Sequence, residues 1–121
     1  MTTMPERIQL SRKKGWRKPE GAVTVARPSR WGNPFKVKPS EVWKGEWRVV
    51  GPEPFWFVGH FSTKLSATRQ AVDLYALHTG PMGNFEIESD ELDVLRGHDL
   101  ACWCPLDQPC HADVLLELAN S

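Results

Sequence analysis

The sequence predicts a small α/β domain, with α+β as the alternative: a sheet with helices packed on it, closed by a C-terminal strand, cysteine loop and helix. Three observations lead there. Short apolar or β-branched runs bounded by turn residues recur at residues 7–10, 21–26 and 46–50. Apolar residues at helical spacing follow Thr63 and return at the C-terminus. The last strand-like run, residues 100–104, leads directly into a loop and a helix.

A chain of 121 residues is expected to form one domain, 1–121, with a core that needs no staples. Its 40% hydrophobic content is that of an ordinary globule, and no apolar run approaches the roughly 20 residues of a membrane span. Residues 1–6 lack the apolar stretch of an export signal, and three cysteines cannot all pair, so the chain reads as cytoplasmic with reduced thiols. Net charge is zero but unevenly spread. Residues 1–48 carry 12 Lys/Arg against four Glu, and residues 49–121 carry three Lys/Arg against 11 acids. The basic half suits an anionic partner, a small molecule or a nucleic acid backbone; alternatively, the two halves neutralise one another in the fold.

In chain order, residues 7–10 give a first short strand, and residues 11–20 a basic turn too polar to bury. Residues 21–26 give a β-branched strand between Gly21 and Pro28. The loop after it reads Arg27-Pro28-Ser29-Arg30-Trp31-Gly32-Asn33-Pro34-Phe35. Loops leaving strands are where α/β proteins place ligand groups. Arg27 and Arg30 suit a phosphate or carboxylate, Ser29 and Asn33 suit orientation, Trp31 suits stacking, and Gly32 permits close backbone approach. The plainer reading makes Trp31 and Phe35 core plugs and leaves the arginines in solvent. No phosphate-loop motif is present.

Residues 46–50 and 55–58 suggest a hairpin around residues 51–54, and the aromatics between about 43 and 57 are expected in the core. A helix is expected from a Ser62 or Thr63 cap through His78, with Gly80-Pro81 as its stop and Ala71, Leu74, Tyr75 and His78 on one stripe, flanked by Leu77. A short acidic helix follows over residues 89–96, capped by Ser89, with Leu92 and Leu95 inward and Gly97 at its end.

The final run holds all three cysteines: Cys102-Trp103-Cys104-Pro105 and, after a turn, Pro109-Cys110-His111-Ala112-Asp113. Cys102 and Cys104 are two apart, so on a strand their sulfurs share a face. Cys110 and His111 fall in the first turn of a helix whose apolar face is Val114, Leu115 and Leu118. A helix start lowers a thiol's pKa and favours anions. Two chemistries follow. In one, Cys110 is a nucleophile or His111 an acid/base beside an anion pocket formed with the loop 27–33. In the other, Cys102, Cys104, Cys110 and His111 hold a metal, zinc before iron–sulfur. The bland reading is small buried hydrophobes. The C-x-C-x5-C-H spacing is not the usual zinc knuckle, and an adjacent Cys and His seldom reach one ion comfortably.

Taken together, the loop 27–35, a helix bearing Tyr75, the run Leu95-Arg96-Gly97-His98-Asp99-Leu100-Ala101-Cys102-Trp103-Cys104 and the run Cys110-His111-Ala112-Asp113-Val114-Leu115 resemble the domain-of-unknown-function family 4326, found in bacteria and phages. The likeness spans about residues 8–119 and leaves out residues 43–57, which look like a variable insertion. It implies a fold and a site rather than a reaction. Three functions therefore stand: a pocket for a nucleotide-like or other anionic small molecule, a zinc-stapled binding module for nucleic acid or a protein, and an interaction protein using the aromatic insertion.

Overall fold

The chain runs β1 (Arg7–Gln9), β2 (Val23–Thr24), β3 (Lys36–Pro39), β4 (Trp47–Val50), β5 (Gly59–Phe61), α1 (Lys64–Thr79), α2 (Ser89–Asp93), β6 (Leu100–Cys102) and α3 (His111–Asn120). This is a computed structural model, and it describes residues 5–27, 29, 31–52, 58–79, 83 and 87–120. Two short sheets and three helices make it a small α/β protein. The chain forms two compact units, Met1–Gly32 with Ile87–Ser121, and Asn33–Glu86. The second is thus spliced in sequence between the halves of the first, and the segment 43–57 lies within it.

In the first unit a parallel sheet has the order β1-β6-β2, with Ile8 and Thr24 both in register with Ala101. β6 is central and buried along its whole length, which is why it reads as a continuous apolar run rather than an alternating one. The sequence extends this strand to Cys104, but the chain bends at Trp103 and Cys104, ahead of Pro105. β2 is likewise shorter than residues 21–26, although Val23 and Val25 N–H still bond Asp99 and Ala101 carbonyls at 2.9 Å. α3 buries His111, Ala112, Leu115 and Ala119, with Val114 and Leu118 at the margins of that face. α2 ends at Asp93 and continues as turns that bury Leu95 and close at Gly97, whose φ is 78°. Its cap lies at Glu88, paired with Glu91, one residue before the expected Ser89.

In the second unit an antiparallel sheet has the order β3-β4-β5. β3 reads Lys-Val-Lys-Pro, with only Val37 turned to the core, so its pattern was too polar to announce a strand. The hairpin partner of β4 is β5; of the expected partner 55–58, only Val58 is within the described residues, and its N–H bonds the Val49 carbonyl at 2.9 Å. Thr63 caps α1, its Oγ1 accepting from Ser66 N–H at 3.1 Å. α1 buries Ala67, Ala71, Tyr75 and Thr79, while Leu77 is exposed and the expected Gly80-Pro81 stop lies outside the described residues. Phe35, Val49, Ala67 and Ala71 form the core, joined by Val37, Trp47, Val58, Phe61 and Leu74. The aromatics divide. Trp47 joins this core, Trp43 is exposed with its ring 4.5 Å from that of His60, and Phe55, Trp56 and Phe57 lie outside the described residues.

Candidate metal centre

The end of β6 and the start of α3 bring the three cysteines and His111 to one corner. Cys102 is the last residue of β6, and Cys104 follows the bend, so the two sulfurs stay on one side, 3.8 Å apart. Cys110 immediately precedes α3, and its carbonyl accepts from Asp113 N–H at 3.1 Å. Despite their adjacency, Cys110 Sγ and His111 Nδ1 converge to 3.7 Å. One ligand atom each from Cys102, Cys110 and His111 lies within 4.8 Å of the others, close enough to hold a metal ion. Cys110 is fully buried, Cys102 and His111 are nearly so, and Cys104 is half-buried.

The loop between these residues is held by a side chain the sequence did not single out. Arg7, on β1 beside β6, has a side chain only 8% exposed. Its Nη2 donates to the carbonyls of Leu106 and Gln108, both at 2.8 Å, and of Pro105 at 3.3 Å. Its Nε lies 3.5 Å from Asp113 Oδ1 in the first turn of α3. One planar guanidinium thus gathers the loop that separates Cys104 from Cys110. The sequence showed only a cation inside a short strand; its partners lie about 100 residues away.

His111 Nε2 is 2.8 Å from the Val25 carbonyl. A carbonyl only accepts, so Nε2 carries the proton and the Nδ1 lone pair faces the thiols. This bond also ties the corner to the segment leaving β2. There Ser29 N–H bonds the Ala26 carbonyl at 2.9 Å and Gly32 N–H bonds the Ser29 carbonyl at 3.1 Å, two successive turns. A Cβ on Gly32 would lie 2.7 Å from Arg27 Cγ, so the backbones approach closely enough to require glycine. Arg27 is exposed, Ser29 Oγ is buried with no hydrogen-bond partner among the described residues, and Trp31 is partly buried. Arg30 lies outside the described residues. Asn33 is buried, its amide donating to the Ala71 carbonyl at 3.1 Å and accepting from Phe35 N–H at 2.9 Å, bonds internal to the Asn33–Glu86 unit.

The thiols titrate as one set. Hydrogen bonding from Cys104, then from Cys110, carries Cys102 down to about 2. The same bonds, to Cys102 and then Cys110, push Cys104 far up. Cys110 is pushed up by Cys102 and by burial, yet ends lowered, chiefly because Cys104 and then the Ala112 N–H hold its thiolate. The three thiols therefore share their protons, with Cys102 and Cys110 held down and Cys104 held up. A cleft of about 290 Å³ opens elsewhere in this unit, lined by Pro5, Glu6, Glu20, Gly21, Gly97, His98 and Asp99. These residues precede β1, β2 and β6, at the edge of the sheet away from the cysteines, and none is a residue the sequence singled out as a site.

The segments that converge here carry the motifs noted in the sequence, and comparison with family models matches residues 8–121 to DUF4326, a domain of unknown function. The chain belongs to this family. No curated protein and no solved structure matches it. Membership in DUF4326 brings no assigned reaction, so any activity must be argued from the corner itself. Among the described residues, no helix is long and apolar enough to cross a membrane.

Proposed function

We propose that this DUF4326 protein is a zinc-stapled binding module, in which Cys102, Cys104, Cys110 and His111 hold one structural zinc ion and the adjoining sheet edge receives an anionic ligand. The carrying observation is the spacing of the donor atoms. Tetrahedral zinc with Zn–S near 2.3 Å and Zn–N near 2.05 Å requires S···S of about 3.8 Å and S···N of about 3.6 Å. The corner has 3.8 Å between Cys102 and Cys104 and 3.7 Å between Cys110 and His111. The Val25 carbonyl on the far ring nitrogen is the usual outer partner of a metal-bound histidine, fixing its tautomer and direction.

Soft thiolates with an imidazole select zinc over calcium or magnesium. Cys102, Cys110 and His111 offer three ligand atoms within 4.8 Å of one another, and in this reading Cys104, 3.8 Å from Cys102, supplies the fourth, which suits a staple rather than a catalytic ion with an open position. Burial supports the same choice. A nucleophilic Cys110 must meet its substrate, and a metal-ligating one need not; Cys110 is 0% exposed. The reading goes with a reducing compartment, the cytoplasm, where such thiols persist. For the anionic ligand, an α/β sheet binds at the carboxyl ends of its strands, and exposed Arg27 leaves β2 at that end. Ser29 Oγ, buried with no hydrogen-bond partner among the described residues, adds a polar group to the same turn.

Elemental analysis of protein purified without added metal tests the reading. About one zinc per chain is expected, falling sharply in Cys110→Ser. Less than about a tenth of an equivalent of zinc in the parent protein overturns it, because closed structural sites are tight. A brown preparation containing iron overturns it in favour of a cluster.

A further inference from the structure

The densest positive charge in the chain stands beside this corner. Arg12, Lys13, Lys14, Arg17 and Lys18 are all exposed, and no acid interrupts residues 11–19. They are carried on a folded turn. Trp16 N–H bonds the Lys13 carbonyl at 3.0 Å, Lys13 N–H bonds Ser11 Oγ at 3.0 Å, and Gly15 takes a φ of 85°. The base of the turn is fastened to the end of β6, where Leu10 N–H bonds the Cys102 carbonyl at 2.8 Å.

From that end of β6 comes Trp103. It is 45% exposed even though the Arg12 guanidinium lies 5.0 Å from its ring centroid. Because β1, β6 and β2 are parallel, the basic turn, Trp103 and the turn bearing Arg27 all leave from one edge of the sheet. Trp103 also sits between two of the metal-holding cysteines, so its backbone direction is set by the corner rather than by a core around the indole.

Positive charge that tracks phosphates, beside an indole that is 45% exposed with a guanidinium over its ring, is a combination that recognises unpaired nucleic acid. We propose that this edge binds single-stranded nucleic acid, with phosphates along the Arg12, Lys13, Lys14, Arg17 and Lys18 turn and a base stacked on Trp103. The proposal rests on the binding-module reading above and names its ligand. A duplex would satisfy the cations but covers its base faces, leaving the indole nothing to stack on. An acidic peptide would likewise leave the ring without a partner.

The test is fluorescence anisotropy of the zinc-loaded full chain with a labelled 12-nucleotide thymidine strand and with a mixed-sequence duplex of the same length. Zinc content is measured on every sample. The strand is expected to bind at least about tenfold more tightly than the duplex, with affinity falling as salt rises by a log–log slope of about 3, for four to five released counterions. Trp103→Ala, a change at an exposed side chain, is expected to weaken binding by about tenfold with the salt slope unchanged. Lys13→Ala with Lys14→Ala is expected to reduce the slope by about 1.4. Equal affinity for strand and duplex, or a Trp103→Ala protein matching the parent, overturns the proposal. A chain that carries zinc and ignores the strand overturns this proposal alone. A chain without zinc that still binds the strand, with loss in Trp103→Ala, overturns the metal reading alone.

Discussion

In the Asn33–Glu86 unit, the sheet is held to α1 by side chains that ask only to be out of water: Phe35, Val49, Ala67 and Ala71, with Trp47 and Phe61 around them. In the other unit, the loop joining β6 to α3 is held by directional partners. Two thiols and an imidazole converge at its ends, with the Cys104 thiol 3.8 Å from that of Cys102, and one guanidinium reaches three of its carbonyls. Apolar contact is tolerant, and losing one member costs roughly that member's own share. A polar cluster works as a set, because each missing member leaves the others buried and unsatisfied. The second sheet should therefore weaken by degrees and the sulfur corner all at once.

The largest effect separating them should come from chelating the proposed zinc. Structural zinc sites are worth about 10–16 kcal/mol at neutral pH, as much as or more than the roughly 5–15 kcal/mol that stabilises a whole domain. Chelation, followed by amide hydrogen exchange, should strip protection from β6 and α3 while α1 keeps its own. Equal loss in α1 would mean that the two units share one staple, and the contrast drawn here would fall.

Next in size is the apolar core. Phe35 is 2% exposed and packs in the cluster with Val49, Ala67 and Ala71. Phe35→Ala should cost about 3–5 kcal/mol, read as a lower urea midpoint. The zinc content should stay at that of the parent. Loss of zinc together with stability would show that the corner depends on a core it does not contain.

These two regions were also unequally legible in the sequence. The C-terminal strand, loop and helix were readable because their signals are local: an apolar run, Pro105 to end it, and helical spacing after His111. The convergence of Cys102, Cys104, Cys110 and His111 was readable only as one of several chemistries. The contact that favours the metal reading is long-range: His111 bonds the carbonyl of Val25, 86 residues away. Spacing alone argued against an adjacent Cys and His sharing an ion, yet Cys110 Sγ and His111 Nδ1 lie 3.7 Å apart. β3 was missed because an edge strand of Lys-Val-Lys-Pro buries one side chain, too few for a period to show. Arg7 was missed for a related reason. Its role depends on carbonyls some 100 residues away, and carbonyls carry no sequence signal at all.

Arg7 gives the smallest expected effect and the sharpest division between the two kinds of cohesion. Arg7→Met keeps an unbranched side chain of similar reach along the apolar part of its path but removes the donors to Pro105, Leu106 and Gln108. Hydrogen bonds from a charged donor are worth about 1.5–3 kcal/mol, and because this loop lies partly in solvent the freed carbonyls regain water, so a loss near 2 kcal/mol is expected. The ligands themselves stay in place, but the loop that fixes their separation is loosened. Zinc affinity, measured by competition with a chromophoric chelator, should weaken by about tenfold, as for residues that support metal ligands from behind. Arg7→Lys should not restore it, since a single ammonium at the end of a flexible stem cannot reproduce the planar fork that spans the loop and Asp113. If Arg7→Lys matched the parent in zinc affinity, charge alone would suffice, and the guanidinium would lose its part in shaping the corner.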